Sequence, residues 1–181
     1  MAGSRGIIVR LLGVFYRRSP VYILIRIVFV IGFSYWCFTY ALIPIRVTGI
    51  SMEPAFLDGQ INFINRLAYR SVPPKRLDVV GIRYPHRDYL YLKRIIALPK
   101  EALRIEGGVI YIGGLPLREP YVKKQSDWNM GKTIYLKSNE YFVIGDNREM
   151  ALEDHALGIV PREYILGKVL RLPSIKVKTS P

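Results

Sequence analysis

Cysteine and histidine are nearly missing from this chain: in 181 residues there is one Cys, Cys37, and there are two His, His86 and His155. A lone thiol excludes an intramolecular disulfide and leaves the redox compartment unread. There is no paired-Cys spacing and no HExxH, so a zinc site would lack its usual ligands. His86, in YPHRDY, reads as a loop residue. A Ser-His-Asp triad through His155 is left open by counting, but no motif supports it. Acidic residues are also scarce, with 14 Asp and Glu against 27 Lys and Arg.

All 14 acidic residues follow Arg46, where 21 Lys and Arg leave a basic surplus of seven. No zinc-ligand spacing, GxGxxG, P-loop or RNP-like aromatic motif accompanies that surplus, so nucleic acid is not an expected partner. Attraction to the anionic headgroups of a lipid bilayer is one use of the charge, and a solvated basic face is the other.

Charge is wholly absent from Ile27 to Ile45, IVFVIGFSYWCFTYALIPI, and Val21–Ile25 extend the run beyond Arg26. A helix crossing about 30 Å of hydrocarbon needs roughly 20 such residues. Residues 21–45 are therefore expected to be a transmembrane helix. Arg26 can snorkel near its start, and Tyr35, Trp36 and Tyr40 suit an interfacial belt at the other end. The apolar part is too long for a cleaved signal peptide, and no small-residue cleavage pattern follows it. Arg5, Arg10, Arg17 and Arg18 mark residues 1–20 as a basic stub on the cytoplasmic side, which puts residues 46–181 outside.

Those remaining residues read as one mainly β domain. The strand-like runs are INFIN (61–65), DVVGIRY (78–84), YLYLKRIIAL (89–98), ALRIE (102–106), VIYI (109–112), TIYLK (133–137), YFVIG (141–145) and YILGKVLRL (164–172). Turn formers punctuate them at Asp58-Gly59, Pro73-Pro74, Gly107-Gly108, Gly113-Gly114 and Ser138-Asn139. With no second long apolar helix pattern, an antiparallel sheet or partly closed barrel is the expected architecture.

Three segments hold candidate chemistry. In Val47-Thr48-Gly49-Ile50-Ser51-Met52-Glu53-Pro54, Gly49 allows close backbone approach, Met52 offers an apolar wedge near the bilayer, and Pro54 fixes the exit from the turn. Ser51 there is either an ordinary turn serine or a hydroxyl presented beside its own backbone N–H. As a nucleophile it needs a base. In YLYLKRIIAL, Lys93 and Arg94 interrupt an apolar strand and must face opposite ways, so one of them can point inward; an edge strand with both in solvent is the alternative. An inward lysine loses affinity for its proton through desolvation, which would suit Lys93 to general-base work. The third segment, YFVIGDNR, is a strand entering a turn at Gly145, Asp146 and Asn147.

Taken together and in this order, GISMEP, YLKRIIALP and GDNRE resemble the boxes of the type I signal peptidase family. PKRLDVVGIRYP is similar to the strand before the family's lysine box, and VIYIGGLPLREPYVK to the stretch after it. The resemblance implies a mostly β catalytic domain at a membrane surface, such as the plasma membrane. It implies Ser51 as nucleophile, Lys93 as base and no metal or organic cofactor. It also implies preprotein signal peptides as partners, bound extended with small side chains before the cut.

The third box departs from the family pattern. Ala151 stands where a serine would orient the lysine, and Glu153 and His155 replace the Asp and Arg of a supporting ion pair. Leu77 and Lys100 stand where glycine is common. These departures imply either tolerated changes around an active Ser51–Lys93 pair or an impaired or specialised relative that binds signal peptides or cuts few substrates.

Overall fold

The computed structural model describes residues 20–85, 89–152 and 158–171. His86, Glu153 and His155, together with the basic stub up to residue 19, lie outside the described residues. The chain divides into two compact units, Met1–Thr39 and Tyr40–Pro181.

In the first unit, helix α1 spans Pro20–Trp36. Pro20 suits a helix start because the first-turn N–H has no helical acceptor to lose. A π-helical turn, Cys37–Ala41, continues α1 across the unit boundary. Together they make 22 helical residues without a break, long and apolar enough by composition to cross a membrane. At 1.5 Å per residue that is about 33 Å, against about 30 Å of hydrocarbon.

The expected helix through residue 45 is a correction. Leu42–Arg46 form strand β1, paired antiparallel with β2 (Ile61–Asn65). Pro44 explains the change, since inside a helix it would remove a hydrogen bond and clash with the preceding turn. Apolarity alone could not mark that boundary, because an apolar strand and an apolar helix share a composition.

The β unit continues with β3 (Val79–Ile82), β4 (Tyr91–Ala97), β5 (Ala102–Glu106), β6 (Val109–Ile112), β7 (Leu115–Pro116), β8 (Ile134–Tyr135), β9 (Glu140–Ile144), β10 (Gly158–Pro161) and β11 (Ile165–Leu170). Seven strands form one antiparallel sheet in the order β1-β2-β11-β3-β4-β9-β10, and four form a second in the order β7-β6-β5-β8. Each predicted run contributes a strand, and the fold is mainly antiparallel β as expected. Strands β1 and β10 were not predicted, β1 being hidden in an apolar run.

One core cluster joins the two sheets through Ile96, Leu103, Ile105, Ile110, Phe142 and Ile144. A second bears directly on the site. The long β1–β2 connection folds back over the large sheet, and its Met52 and Phe56 pack with Ile64 of β2, Val169 of β11 and Val79 of β3. Both side chains are buried, and burying each is worth about 1.5–3 kcal/mol. Met52 is thus a core anchor rather than a wedge facing a bilayer.

Leu77 and Lys100 each adopt φ of 68°. The left-handed conformation that glycine would take is kept there at a cost of about 1–2 kcal/mol for an L side chain. Backbone bonds enforce it at Leu77, whose N–H donates to the Ile95 carbonyl at 2.8 Å.

Candidate active site

Strand pairing explains why three distant segments meet. β9 lies beside β4 with Arg94 opposite Ile144, so the turn after β9 emerges next to the Lys93-Arg94 pair. The β1–β2 connection, held down by Met52 and Phe56, carries Ser51 to the same place from the far side of the sheet. Lys93 Nζ and Ser51 Oγ lie 3.1 Å apart.

The Ser51 loop is tied on both flanks. On one, the Gly49 N–H donates to Asp58 Oδ1 at 2.8 Å, and Val47 donates its N–H to the Gln60 carbonyl and accepts the Gly59 N–H at its own carbonyl, both at 2.9 Å. Gly49 has φ of 92°, a conformation that favours glycine. On the other, the Asn147 N–H donates to the Ser51 carbonyl at 3.1 Å, and Asn147 Nδ2 donates to the Ile50 carbonyl at 3.2 Å. The Glu53–Pro54 peptide is cis. Among the described residues, no backbone carbonyl takes the Ser51 N–H.

Alternation along β4 sends Lys93 and Arg94 to opposite faces. Lys93 is 4% exposed. Burial pulls its pKa down to about 8, with the Asp146 carboxylate pulling in the other direction. Arg94 grips Asp146 in a two-pronged ion pair, Nε to Oδ1 at 2.8 Å and a terminal nitrogen to Oδ2 at 2.5 Å. Its other terminal nitrogen donates to the Leu77 carbonyl at 2.9 Å. Asp146, itself buried, is thus spoken for by Arg94, and a proton-free Lys93 is not obliged to neutralise it.

Ser51 and Lys93 open onto a cleft of about 290 Å³ lined by Val47, Thr48, Gly49, Met52, Leu90 and Leu92, with Arg46, Tyr89 and Tyr91 around it. The cleft is of mixed character, with Val47, Met52, Leu90 and Leu92 giving it apolar wall and the Ser51 hydroxyl and Lys93 amine side by side within it.

The structure brings Gly49, Met52, Arg94, Gly145, Asp146 and Asn147 together around Ser51 and Lys93, whereas Pro54 lines a separate cavity with Asp146 and Asn147. Glu153 and His155 lie outside the described residues. Ala151 is exposed and lines a different cavity, beside Lys124–Asn129. Sequence reasoning missed Asp58, Glu119, Tyr121 and Arg148. Arg148 has a fully buried side chain and pairs with Glu119 at 2.5 Å. The missed signal was a charged residue set among apolar and turn residues, with a counter-charge of opposite sign far away in sequence.

A family model described as signal peptidase, peptidase S26, matches residues 21–172. The chain belongs to this family. Signal peptidase I of Leptolyngbya laminosa is 29% identical over 128 residues, 66% of this chain and 63% of that protein. Against that relative, the chain spans a little under two thirds of its length. Signal peptidase IB of Staphylococcus aureus is 28% identical over 160 residues, 79% of this chain and 80% of that one. A solved structure of a signal peptidase I from Enterococcus faecalis V583 is 24% identical, covers 52% of this chain and 95% of that one, and has a TM-score of 0.42. Removal of signal peptides is the activity that membership of the signal peptidase family carries.

Proposed function

We propose that this chain is a membrane-bound serine endopeptidase that removes N-terminal signal peptides from exported preproteins, with Ser51 as nucleophile and Lys93 as general base. The supporting observation is the 3.1 Å approach of Lys93 Nζ to Ser51 Oγ, with the amine buried. A lysine held near pH 8 is neutral in a useful fraction of molecules at neutral pH, and its lone pair can accept the hydroxyl proton.

Ser51 Oγ then attacks the scissile carbonyl while its proton passes to Lys93 Nζ. The Ser51 N–H donates to the oxyanion. The charged Lys93 returns the proton to the departing amine, which leaves an ester on Ser51. Neutral again, Lys93 takes a proton from water, the hydroxide attacks the ester, and Ser51 Oγ leaves with that proton. The signal peptide binds extended along the cleft, its small side chains against Val47, Met52, Leu90 and Leu92.

The apolar helix anchors the enzyme in the plasma membrane, with the N-terminal arginines on the cytoplasmic side and the β unit outside. The basic surplus of the β unit favours the anionic bilayer surface as a further partner.

The test uses full-length protein in detergent, a preprotein with a small-x-small cleavage site, and the Ser51→Ala and Lys93→Ala variants. Cleavage by wild type that is lost in both variants is the expected result. A wild type that binds the preprotein without cutting it, beside an active relative under the same conditions, would instead favour the impaired or specialised reading, which draws on Ala151 in the third box.

A further inference from the structure

Behind Lys93 runs a chain of charges whose far end belongs to neither the serine segment nor the lysine segment. Glu119 follows β7, in the long connection between β7 and β8, both strands of the small sheet. Its carboxylate accepts two bonds from Arg148, at 2.5 and 3.1 Å. It also accepts the Tyr121 hydroxyl at 2.5 Å. The two ion-pair side chains are 0% and 3% exposed. Burial, and next the Glu119 carboxylate, push the Tyr121 phenol well up, so Tyr121 stays a donor.

Both partners of Glu119 lead to the reacting groups. Arg148 Nε donates to the Gly145 carbonyl at 3.1 Å, which clamps the turn holding Asp146 and Asn147. The guanidinium of Arg148 also faces the Trp128 ring, at 5.5 Å. The Tyr121 ring lies 4.0 Å under the guanidinium of Arg94, the group that holds Asp146. Asp146 acts electrostatically on Lys93, and Asn147 holds the backbone of Ser51 and Ile50. A single carboxylate therefore braces the 145–148 turn from behind and orients the cation beside it.

We propose that Glu119 is a positioning residue for the reaction, setting through Arg148 and Tyr121 the placement of the 145–148 turn against Ser51 and Lys93. This rests on the Ser51–Lys93 reading. It also accounts for a third box without its serine: support for the lysine comes from the small-sheet side of the molecule, through a residue distant in sequence.

Among the described residues, the groups facing Lys93 are few. Ser51 comes from the β1–β2 connection and Asp146 from the turn after β9. Arg46, Tyr89 and Tyr91 line the same cleft. On the β3 and β11 side, Asp78 and Lys168 pair with each other at 2.5 Å. Arg94, Tyr121, Glu119 and Arg148 make up the network itself. Removing the Glu119 charge leaves this surrounding more positive, which favours a neutral Lys93 and lowers its pKa.

Two variants separate charge from shape, assayed with full-length protein on a preprotein substrate between pH 6 and 10. Glu119→Gln keeps the shape and removes the charge. It is expected to move the acid limb of kcat/KM down by on the order of half a pH unit. Glu119→Asp keeps the charge and shortens the reach. It is expected to lower kcat about tenfold with KM nearly unchanged and the acid limb in place. If either variant loses its cooperative thermal transition, Tyr121→Phe, which keeps the ring under Arg94, carries the test with a fall in kcat.

Variants that melt earlier yet keep the wild-type kcat and acid limb would overturn the proposal and leave Glu119 a structural ion pair. Wild-type activity that survives Ser51→Ala or Lys93→Ala would overturn the underlying mechanism instead, and those two controls keep the failures apart.

Discussion

Replacing Lys93 by Met should abolish cleavage and make the protein more stable at pH 7. Methionine has a comparable reach, so the site stays filled, but it has no ammonium to hold out of water. In the wild type, burial takes the lysine pKa from 10.5 down to about 8. At about 1.4 kcal/mol per tenfold change in proton affinity, keeping the charged form in the folded protein costs on the order of 3 kcal/mol below pH 8. Losing the bond to Ser51 returns about 1 kcal/mol. The net gain of about 2 kcal/mol corresponds to a rise in Tm of about 4–8 °C for a domain of this size.

The pH dependence carries a definite sign. Because the folded pKa is depressed, the unfolded chain holds a proton that the folded chain lacks between about pH 8 and 10.5. Wild-type stability therefore rises with pH through that window, whereas the Met variant gains nothing there. Urea or thermal unfolding in detergent at pH 7, 8.5 and 10 would show the gap narrowing upward in pH and vanishing or reversing near its top. A Met variant no more stable than wild type at pH 7, or a gap that ignores pH, would refute the claim that burial prepares this lysine.

Further outcomes follow from particular residues. With Lys93 about one-tenth neutral at pH 7 and nine-tenths at pH 9, kcat/KM should rise roughly tenfold over that range, read from initial rates of preprotein cleavage. Leu77→Gly and Lys100→Gly each relieve a left-handed backbone at φ 68° and should each stabilise by about 0.5–1 kcal/mol in urea unfolding. Gly167→Ala would drive its methyl to 2.2 Å from the Asn65 carbonyl oxygen, whereas Gly81→Ala meets the movable end of Ile64 at 2.2 Å. The first should therefore lose about 3 kcal/mol or more and the second clearly less, compared as shifts in Tm.

Ser51, Lys93 and the Gly145–Asn147 turn were legible only together, through the ordered resemblance of their three segments to a known family, since each alone also fits an ordinary turn or an edge strand. A hydroxyl sits in a glycine-proline turn, a cation interrupts an apolar strand, and a strand runs into a turn. The β class was legible directly, since alternation and turn residues are short-range signals that the backbone obeys wherever it lies. The helix end was not, because Leu42–Arg46 is apolar in either state and only pairing with β2 selects the strand.

The sequence by itself determined a long apolar helix and a mainly antiparallel β domain, and it offered Ser51 and Lys93 as candidates that the fold then brings within 3.1 Å. Tertiary structure decided which face of β4 holds Lys93 and how deeply that amine is buried. It also recruited Asp58, Glu119, Tyr121 and Arg148 as supports. The physical reason lies in range. Strand and turn preferences act over a few residues, whereas desolvation and ion pairing depend on what arrives from elsewhere in the fold, as when Glu119 meets Arg148 across 29 positions of chain.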